Sequence, residues 1–360
     1  MTAQTIVLAG AYGRGNLGND LLARVTASAL RRDGRRVVVA TEGRGTGDPE
    51  ETRSGASLWR QLDRDTQLMV GGGELLNDSW TLDHARQLAS MCVLARARGS
   101  SVSAAGVSLE PPATWRGAQL ARAVGAAARV LGVRDGASLE VAQRLGARRT
   151  LLGVDLGWLA ADELADLLPE APPPGSRDLV MVTIEGETEA IARRRIALLA
   201  GVLRALKARY PGVDVRLVAM QRHLPAPHDD RALLEHVARF AHLTDAEIVS
   251  PTTVEEAAAA LRGVTVAVGC RPHGLLLASV CGARIVAVGD RGRMGTMFAD
   301  LPGTTVFGEP CEVDEVAAAT MEAVTSGDLL APARRQQVRA RCSEARTHLR
   351  TVAMNGAPMR

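Results

Sequence analysis

One pattern organises the chain: short apolar runs, each followed by a longer run of helical period, repeat on both sides of Pro172-Pro173-Pro174-Gly175. Strands that alternate with helices bury both faces of a parallel sheet, so the pattern predicts an α/β architecture. In the first half, strands are expected at Thr5–Leu8, Arg36–Ala40, Gln67–Val70, Ser101–Ala105, Arg129–Val133 and Thr150–Leu152. Helices are expected there at Asp20–Arg32, Leu82–Arg98, Trp115–Ala127 and Ala137–Leu145. In the second half, strands are expected at Leu179–Thr183, Val213–Ala219, Val264–Gly269 and Ile285–Val288. Its helices are expected at Glu187–Ala208, Asp230–Ala241, Val254–Leu261, just after Arg271, and at Val313–Thr325.

Three prolines and a glycine can continue neither a helix nor a central strand, so residues 171–177 read as a linker. A length of 360 residues exceeds the roughly 250–300 that one core serves, which also favours two domains. The expected organisation is a doubly wound, Rossmann-like domain over 1–170, a second over 178–330, and a basic helix and tail over 331–360 that packs back on the first domain. Ligands are expected in the cleft between the two halves.

The 46% hydrophobic share with 23% charged residues is that of a globular protein, and nine aromatic residues leave few platforms for stacking bases or sugars. Lys207 is the only lysine, in an amphipathic run, which argues against P-loop and Schiff-base chemistry. The arginines are scattered rather than gathered in a stripe, so no nucleic-acid partner is expected. Five dispersed cysteines without a CxxC pair, and histidines without HExxH spacing, suggest neither a disulfide framework nor a metal site. No run approaches the ~20 apolar residues of a membrane span. A cytoplasmic location is expected, and a homo-oligomer is compatible with the sequence.

Three loops carry candidate chemistry. The first, Gly10 to Asp20, holds Gly13, Gly15, Asn16 and Gly18 between the first strand and helix, where backbone can approach a ligand and helical N–H groups can meet an anion. Its Gly13-x-Gly15-x-x-Gly18 spacing matches the dinucleotide fingerprint, but it begins several residues past the strand and lacks an acidic residue at the expected distance, so NAD is disfavoured. The second, Gly71-Gly72-Gly73 to Asp78, implies either close ligand approach or a tight crossing, with Asp78 as a catalytic or hydroxyl-binding carboxylate or simply an N-cap. The third, Cys270-Arg271-Pro272-His273-Gly274, puts an anion-forking guanidinium and a proton-transferring imidazole at a helix start that favours negative charge.

Taken together, these segments resemble the polysaccharide pyruvyl transferase family. The resemblance is carried by Gly15-Asn16-Leu17-Gly18-Asn19-Asp20, Gly71-Gly72-Gly73-Glu74-Leu75-Leu76-Asn77-Asp78, Val133-Arg134-Asp135-Gly136-Ala137-Ser138 with Asp155 beyond it, and Arg271-Pro272-His273. It implies a glycosyltransferase-B-like pair of Rossmann domains that moves the enolpyruvyl or pyruvyl group of phosphoenolpyruvate onto sugar hydroxyls, with phosphoenolpyruvate as donor substrate and no separate cofactor. In that scheme Arg271 and Arg134 bind the donor's anionic groups, His273 protonates its C3, and Asp78 or Asp20 accepts the acceptor's hydroxyl proton.

The chain departs from the family at several points. Asn19 stands where the family usually has Asp, which displaces the carboxylate to Asp20, and Pro272 replaces an aliphatic residue. Glu185 and Gly186 follow Ile184 where an arginine often follows, and the family's lysine after Arg-x-His is absent, with Arg291 or Arg293 as a charge substitute. These departures make a small sugar-like acceptor in place of a polysaccharide credible. They also keep two rivals open: a nucleotide-sugar glycosyltransferase of the same architecture, and a catalytically lapsed binding protein.

Overall fold

The computed structural model describes residues 4–42, 51–53, 56–74, 82–169, 178–222, 227–243, 246–298, 300–326 and 329–358. The expected linker at 171–177 and Asp78 lie outside them. The strands are β1 Thr5–Ala9, β2 Arg36–Thr41, β3 Glu51–Arg53, β4 Thr66–Glu74, β5 Ser101–Ser108, β6 Val130–Val133, β7 Thr150–Leu152, β8 Leu179–Thr183, β9 Asp214–Val218, β10 Glu247–Val249, β11 Val264–Gly269, β12 Arg284–Gly289 and β13 Thr304–Gly308. The α-helices are α1 Leu17–Arg32, α2 Ala56–Trp59, α3 Leu82–Ala97, α4 Trp115–Ala127, α5 Gly136–Arg144, α6 Ala160–Glu163, α7 Glu189–Arg209, α8 Asp230–Phe240, α9 Val254–Ala260, α10 Pro272–Val280, α11 Arg291–Phe298, α12 Val313–Thr325 and α13 Ala331–Gly356.

The chain forms two compact units, each a Rossmann-like α/β layer structure. The first comprises Met1–Arg14, Asn19–Glu163 and Arg341–Arg360; the second comprises Gly15–Gly18 and Leu164–Ala340. The first sheet runs β3-β2-β1-β4-β5-β6-β7 and the second β10-β9-β8-β11-β12-β13, with parallel pairing throughout. Parallel strands covered by helices on both faces must be apolar on both, and β5 and β12 are buried along their whole length. Side-chain caps define the helix starts: Thr114, Asp135, Thr188, Asp229 and Thr253 each accept from a backbone N–H in the first turn.

Strand order reverses between β1 and β4 in the first sheet and between β8 and β11 in the second. At such a reversal the loops leave toward opposite faces and open a crevice at the carboxyl ends of the strands. The glycine loop after Ala9 and the Arg271 loop after Gly269 follow strands at these two reversals, and Gly71–Gly73 lie near the end of β4 at the first of them.

Two expectations need correction. β4 does not stop at Val70 but continues to Glu74, because β5 pairs with it through Gly71↔Ala105, Gly73↔Val107 and Glu74↔Ser108. α1 begins at Leu17, three residues before the expected start.

Residues 341–356 of α13 pack in the first unit, with Cys342, Ala345, Leu349, Val352 and Ala353 buried at helical spacing. His348 lies in that buried stripe, pressed onto Gly153 and Gly132; a Cβ at Gly132 would come 2.7 Å from its Nε2. That Nε2 has no hydrogen-bond partner among the described residues, and burial holds the imidazole pKa down at about 4. The folded state therefore resists protonation while the unfolded imidazole accepts it near 6.5. Stability from this site is complete above that value and is lost as pH falls toward 4, by about 3 kcal/mol. Urea unfolding at pH 7 and pH 4.5 is expected to show a pH-dependent loss in the wild type that is smaller by that order in His348→Leu. Equal losses in the two proteins would contradict the assignment.

Candidate functional site

In the first unit, the loop after β1 folds back onto the end of β4. The Tyr12 hydroxyl donates to the Gly71 carbonyl at 2.7 Å, and Asp20 accepts from the Gly13 N–H at 2.8 Å. Burial, with the Asp20 charge beside it, raises the Tyr12 pKa and keeps the phenol neutral. The space a side chain would need at Gly71, Gly72 and Gly73 is taken by Leu8, Tyr12, Leu22 and Asn19. Gly73 has φ +86°, a conformation that favours glycine, with Asn19 Oδ1 2.8 Å from where its Cβ would lie. The glycines thus let the β1 loop and α1 approach the strand.

Arg134 follows β6 and is 4% exposed. Its Nη1 donates to Asp155 Oδ2 at 2.8 Å, and its Nε lies 3.6 Å from Asp135. Both carboxylates also cap helical turns, Asp155 at Gly157 and Asp135 at Ser138, so the guanidinium is held from two fixed points. Arg134 Nη2 is buried without a partner among the described residues. A buried donor of that kind is costly unless a ligand or water completes it.

The second unit assembles the other residues. Pro272 opens α10, and His273, 6% exposed, occupies its first turn. Gly18 lies against that imidazole: a Cβ there would be 2.6 Å from Nδ1 and 3.0 Å from the ring carbon Cγ. The segment Gly15–Gly18 is fixed by backbone hydrogen bonds from Leu17 to Met220 at 2.9 Å and from Arg222 to Gly15 at 3.1 Å. Asn16 Oδ1 accepts from the Gly18 N–H at 2.9 Å, while its Nδ2 donates to Gln221 Oε1 at 2.8 Å. Motifs more than 250 positions apart, Asn16-Leu17-Gly18 and Arg271-Pro272-His273, therefore meet in one place.

Arg271 holds this arrangement together from beneath, buried at 3% exposure. Its Nε donates to Asp230 Oδ2 at 3.1 Å and its Nη2 to Asp230 Oδ1, a two-pronged pair. Its Nη1 donates to Glu185 Oε1 at 2.7 Å and to Gln221 Oε1 at 3.3 Å. Asp230 also accepts the backbone N–H groups of Met220 and Gln221 at 3.1 and 3.0 Å. Burial lifts its pKa to about 6 against the pull of Arg271. Glu185 is buried too, but Arg271, Arg293, Arg195 and His273 around it hold its carboxyl below the usual value. Arg293, on α11, lies 4.0 Å from Glu185 Oε2. Arg195 donates to Glu309, Glu187 and the Glu185 carbonyl.

The family model for polysaccharide pyruvyl transferase matches residues 16–290. The chain belongs to the polysaccharide pyruvyl transferase family. The match begins at Asn16 and runs past Arg271 and His273, so it spans the pair of motifs that meet in the second unit. No curated protein matches the chain. Among solved structures, the backbone is similar to α,α-trehalose 6-phosphate synthase from Burkholderia multivorans, with TM-score 0.59 and 14% identity over 98% of each chain. It is also similar to UDP-GlcNAc 2-epimerase from Methanocaldococcus jannaschii, with TM-score 0.57 and 9% identity over 93% of this chain and 98% of that one. The glycosyltransferase WaaG, involved in lipopolysaccharide biosynthesis, matches with TM-score 0.52 and 14% identity over 98% and 97%. This pyruvyl transferase family member thus has the glycosyltransferase-B-like fold expected of it, and the family is one of transferases.

Of the residues proposed from sequence, the structure brings together Gly15, Asn16, Arg271, His273 and Arg293 in the second unit, and Gly13, Asp20, Gly71, Gly72 and Gly73 in the first. Arg134 stands apart from the latter group, after β6. Sequence reasoning missed Gln221, Asp230 and the pairing of Glu185 with Arg271. Asp229 caps the start of α8, whereas Asp230 beside it is buried. Among the described residues no helix is long and apolar enough to cross a membrane, and no three His, Cys, Asp or Glu side chains group as a metal site would need.

Proposed function

We propose that the chain is a pyruvyl transferase that moves the pyruvyl group of phosphoenolpyruvate to hydroxyls of a sugar-like small acceptor in the cytoplasm, with no separate cofactor. One observation carries this reading: Asn16-Leu17-Gly18 is hydrogen-bonded through Gln221 to Arg271, with His273 seated on Gly18, inside the span of the family match. An imidazole at a helix start, beside guanidiniums, suits a donor that is anionic and must be protonated.

The chemistry follows from the donor. His273 gives a proton to C3, which becomes a methyl group and leaves C2 electron-poor. An acceptor hydroxyl adds to C2 while its proton passes to a carboxylate, for which Asp20 and Asp78 are the candidates. Phosphate leaves with the C2–O bond pair, and a second hydroxyl adds at C2 to close a cyclic ketal, its proton passing to the departing phosphate. In this reading Arg293 and Nη1 of Arg271 bind the donor's negative groups, and Arg134, with its Nη2 unpartnered among the described residues, is a further candidate for an anion.

The test is release of inorganic phosphate from phosphoenolpyruvate in the presence of a panel of mono- and oligosaccharides and other polyols. Release that requires an acceptor, together with a raised melting midpoint at millimolar phosphoenolpyruvate, is the expected result. The fold likeness to glycosyltransferases favours one alternative, a nucleotide-sugar donor. A midpoint raised by UDP and untouched by phosphoenolpyruvate would replace our reading with that one.

A further inference from the structure

Both guanidiniums that the sequence assigns to the substrate in the second unit face the same carboxylate. Glu185 Oε1 accepts from Arg271 Nη1 at 2.7 Å, and Glu185 Oε2 lies 4.0 Å from Arg293 Nη1. The residue follows β8, Arg271 follows β11, and these strands are neighbours at the reversal of strand order, so the buried carboxylate lies at their carboxyl ends.

We propose that Glu185 is a resident anion of the donor subsite: its carboxylate takes the place between Arg271 and Arg293 that a donor's carboxylate or phosphate must claim, and so sets how much negative charge the site accepts. The inference rests on the reading of His273 and Arg271 as donor-site residues.

Three features separate Glu185 from an ordinary structural partner. First, Arg271 does not need it for placement. The two-pronged pair with Asp230 occupies Nε and Nη2, Asp230 is anchored by two backbone N–H groups, and the Nη1 hydrogen bond is the part left to exchange. Second, the chain's own carboxylates already more than offset these guanidiniums. Arg271, Arg195 and Arg293 face Asp230, Glu185, Glu187 and Glu309, three positive groups against four negative. A donor carrying a carboxylate and a phosphate, entering without displacing one of these carboxylates, would meet repulsion at close range, where a single like charge costs heavily. Third, Glu185 stays ionised in its buried position because Arg271, Arg293, Arg195 and His273 surround it. It cannot relieve the repulsion by taking a proton near neutral pH.

The experiment compares wild type with Glu185→Gln, which keeps size and an acceptor oxygen but removes the charge. Phosphoenolpyruvate, inorganic phosphate and uncharged pyruvamide are titrated calorimetrically into each protein, with circular dichroism to check folding. Glu185→Gln is expected to bind both anions at least about ten-fold more tightly, with pyruvamide unchanged. A merely structural carboxylate would not yield a charge-selective gain. Should Glu185→Gln misfold, Glu185→Ser is used in its place with the same expectation. Wild-type binding of phosphoenolpyruvate with no gain in the variant overturns the role of Glu185 and leaves the donor reading standing. A gain for phosphate alone, with phosphoenolpyruvate binding neither protein, supports the resident anion and overturns the donor reading. Binding of neither anion to either protein overturns both.

Discussion

His273→Ala is expected to lower acceptor-dependent phosphate release from phosphoenolpyruvate by about 10²–10⁴-fold in kcat, with KM for the donor changed by no more than a few-fold. The size follows from what one positioned proton donor contributes, and the split follows from the geometry. The imidazole is held in the first turn of α10 and against Gly18, so its loss removes the proton without moving Arg271. Arg271 is fixed independently by Asp230 and Gln221. Donor affinity should therefore persist when the chemistry fails. His273→Gln separates shape from proton transfer: it refills the space and is expected to remain as slow as the alanine variant. Recovery of wild-type turnover in the glutamine variant would make His273 a spacer, and undiminished turnover in the alanine variant would place the proton donor elsewhere.

The layer architecture was readable because burial on both faces leaves parallel strands continuously apolar. Leu179–Thr183 and Val264–Gly269 come out with the expected boundaries. β3, β10 and β13 were not anticipated, and each lies at an edge of its sheet. An edge strand pairs on one side only, so Glu-Thr-Arg and Thr-Thr-Val-Phe-Gly carry no alternating or continuous apolar signal. The glycines at Gly71–Gly73 misled in another way. They read as the end of a strand because glycine weakens strands in isolation, whereas here pairing with β5 and the filling of their vacant space by Leu8 and Leu22 hold the strand extended.

The site was legible in its reactive residues and not in its supports. Arg271 and His273 stand out by type and by position after a strand, which are local properties. The partners of Arg271 are 41, 50 and 86 residues away, at Asp230, Gln221 and Glu185. No periodicity links them; they meet only because β8, β9 and β11 lie side by side with their carboxyl ends together. The sequence also suggested that Arg271 is open to a substrate anion. Its fork is instead closed on Asp230, which leaves Nη1 as the donor to contest and turns Glu185, a departure from the family pattern, into the residue that contests it.

The fork makes Asp230 the residue whose loss should cost the second unit most. Asp230 is fully buried and accepts from Arg271 Nε and Nη2 and from the backbone of Met220 and Gln221. Asp230→Ala strips all four donors of their acceptor and leaves a buried guanidinium balanced by Glu185 alone. Breaking a buried pair by removing one partner costs about 3–5 kcal/mol, most of it from the charge left behind. That origin can be tested. If the stranded charge dominates, adding Arg271→Met to Asp230→Ala should restore at least about 1 kcal/mol, because an apolar chain of similar length needs no counter-ion. If lost packing dominates, the double variant should be worse than either single one. Unfolding is best followed by far-UV circular dichroism, since the described tryptophans Trp59, Trp115 and Trp158 all belong to the first unit. A loss below about 1 kcal/mol in Asp230→Ala would mean that Glu185 suffices to hold Arg271, and would remove the argument that Glu185 is free to be displaced.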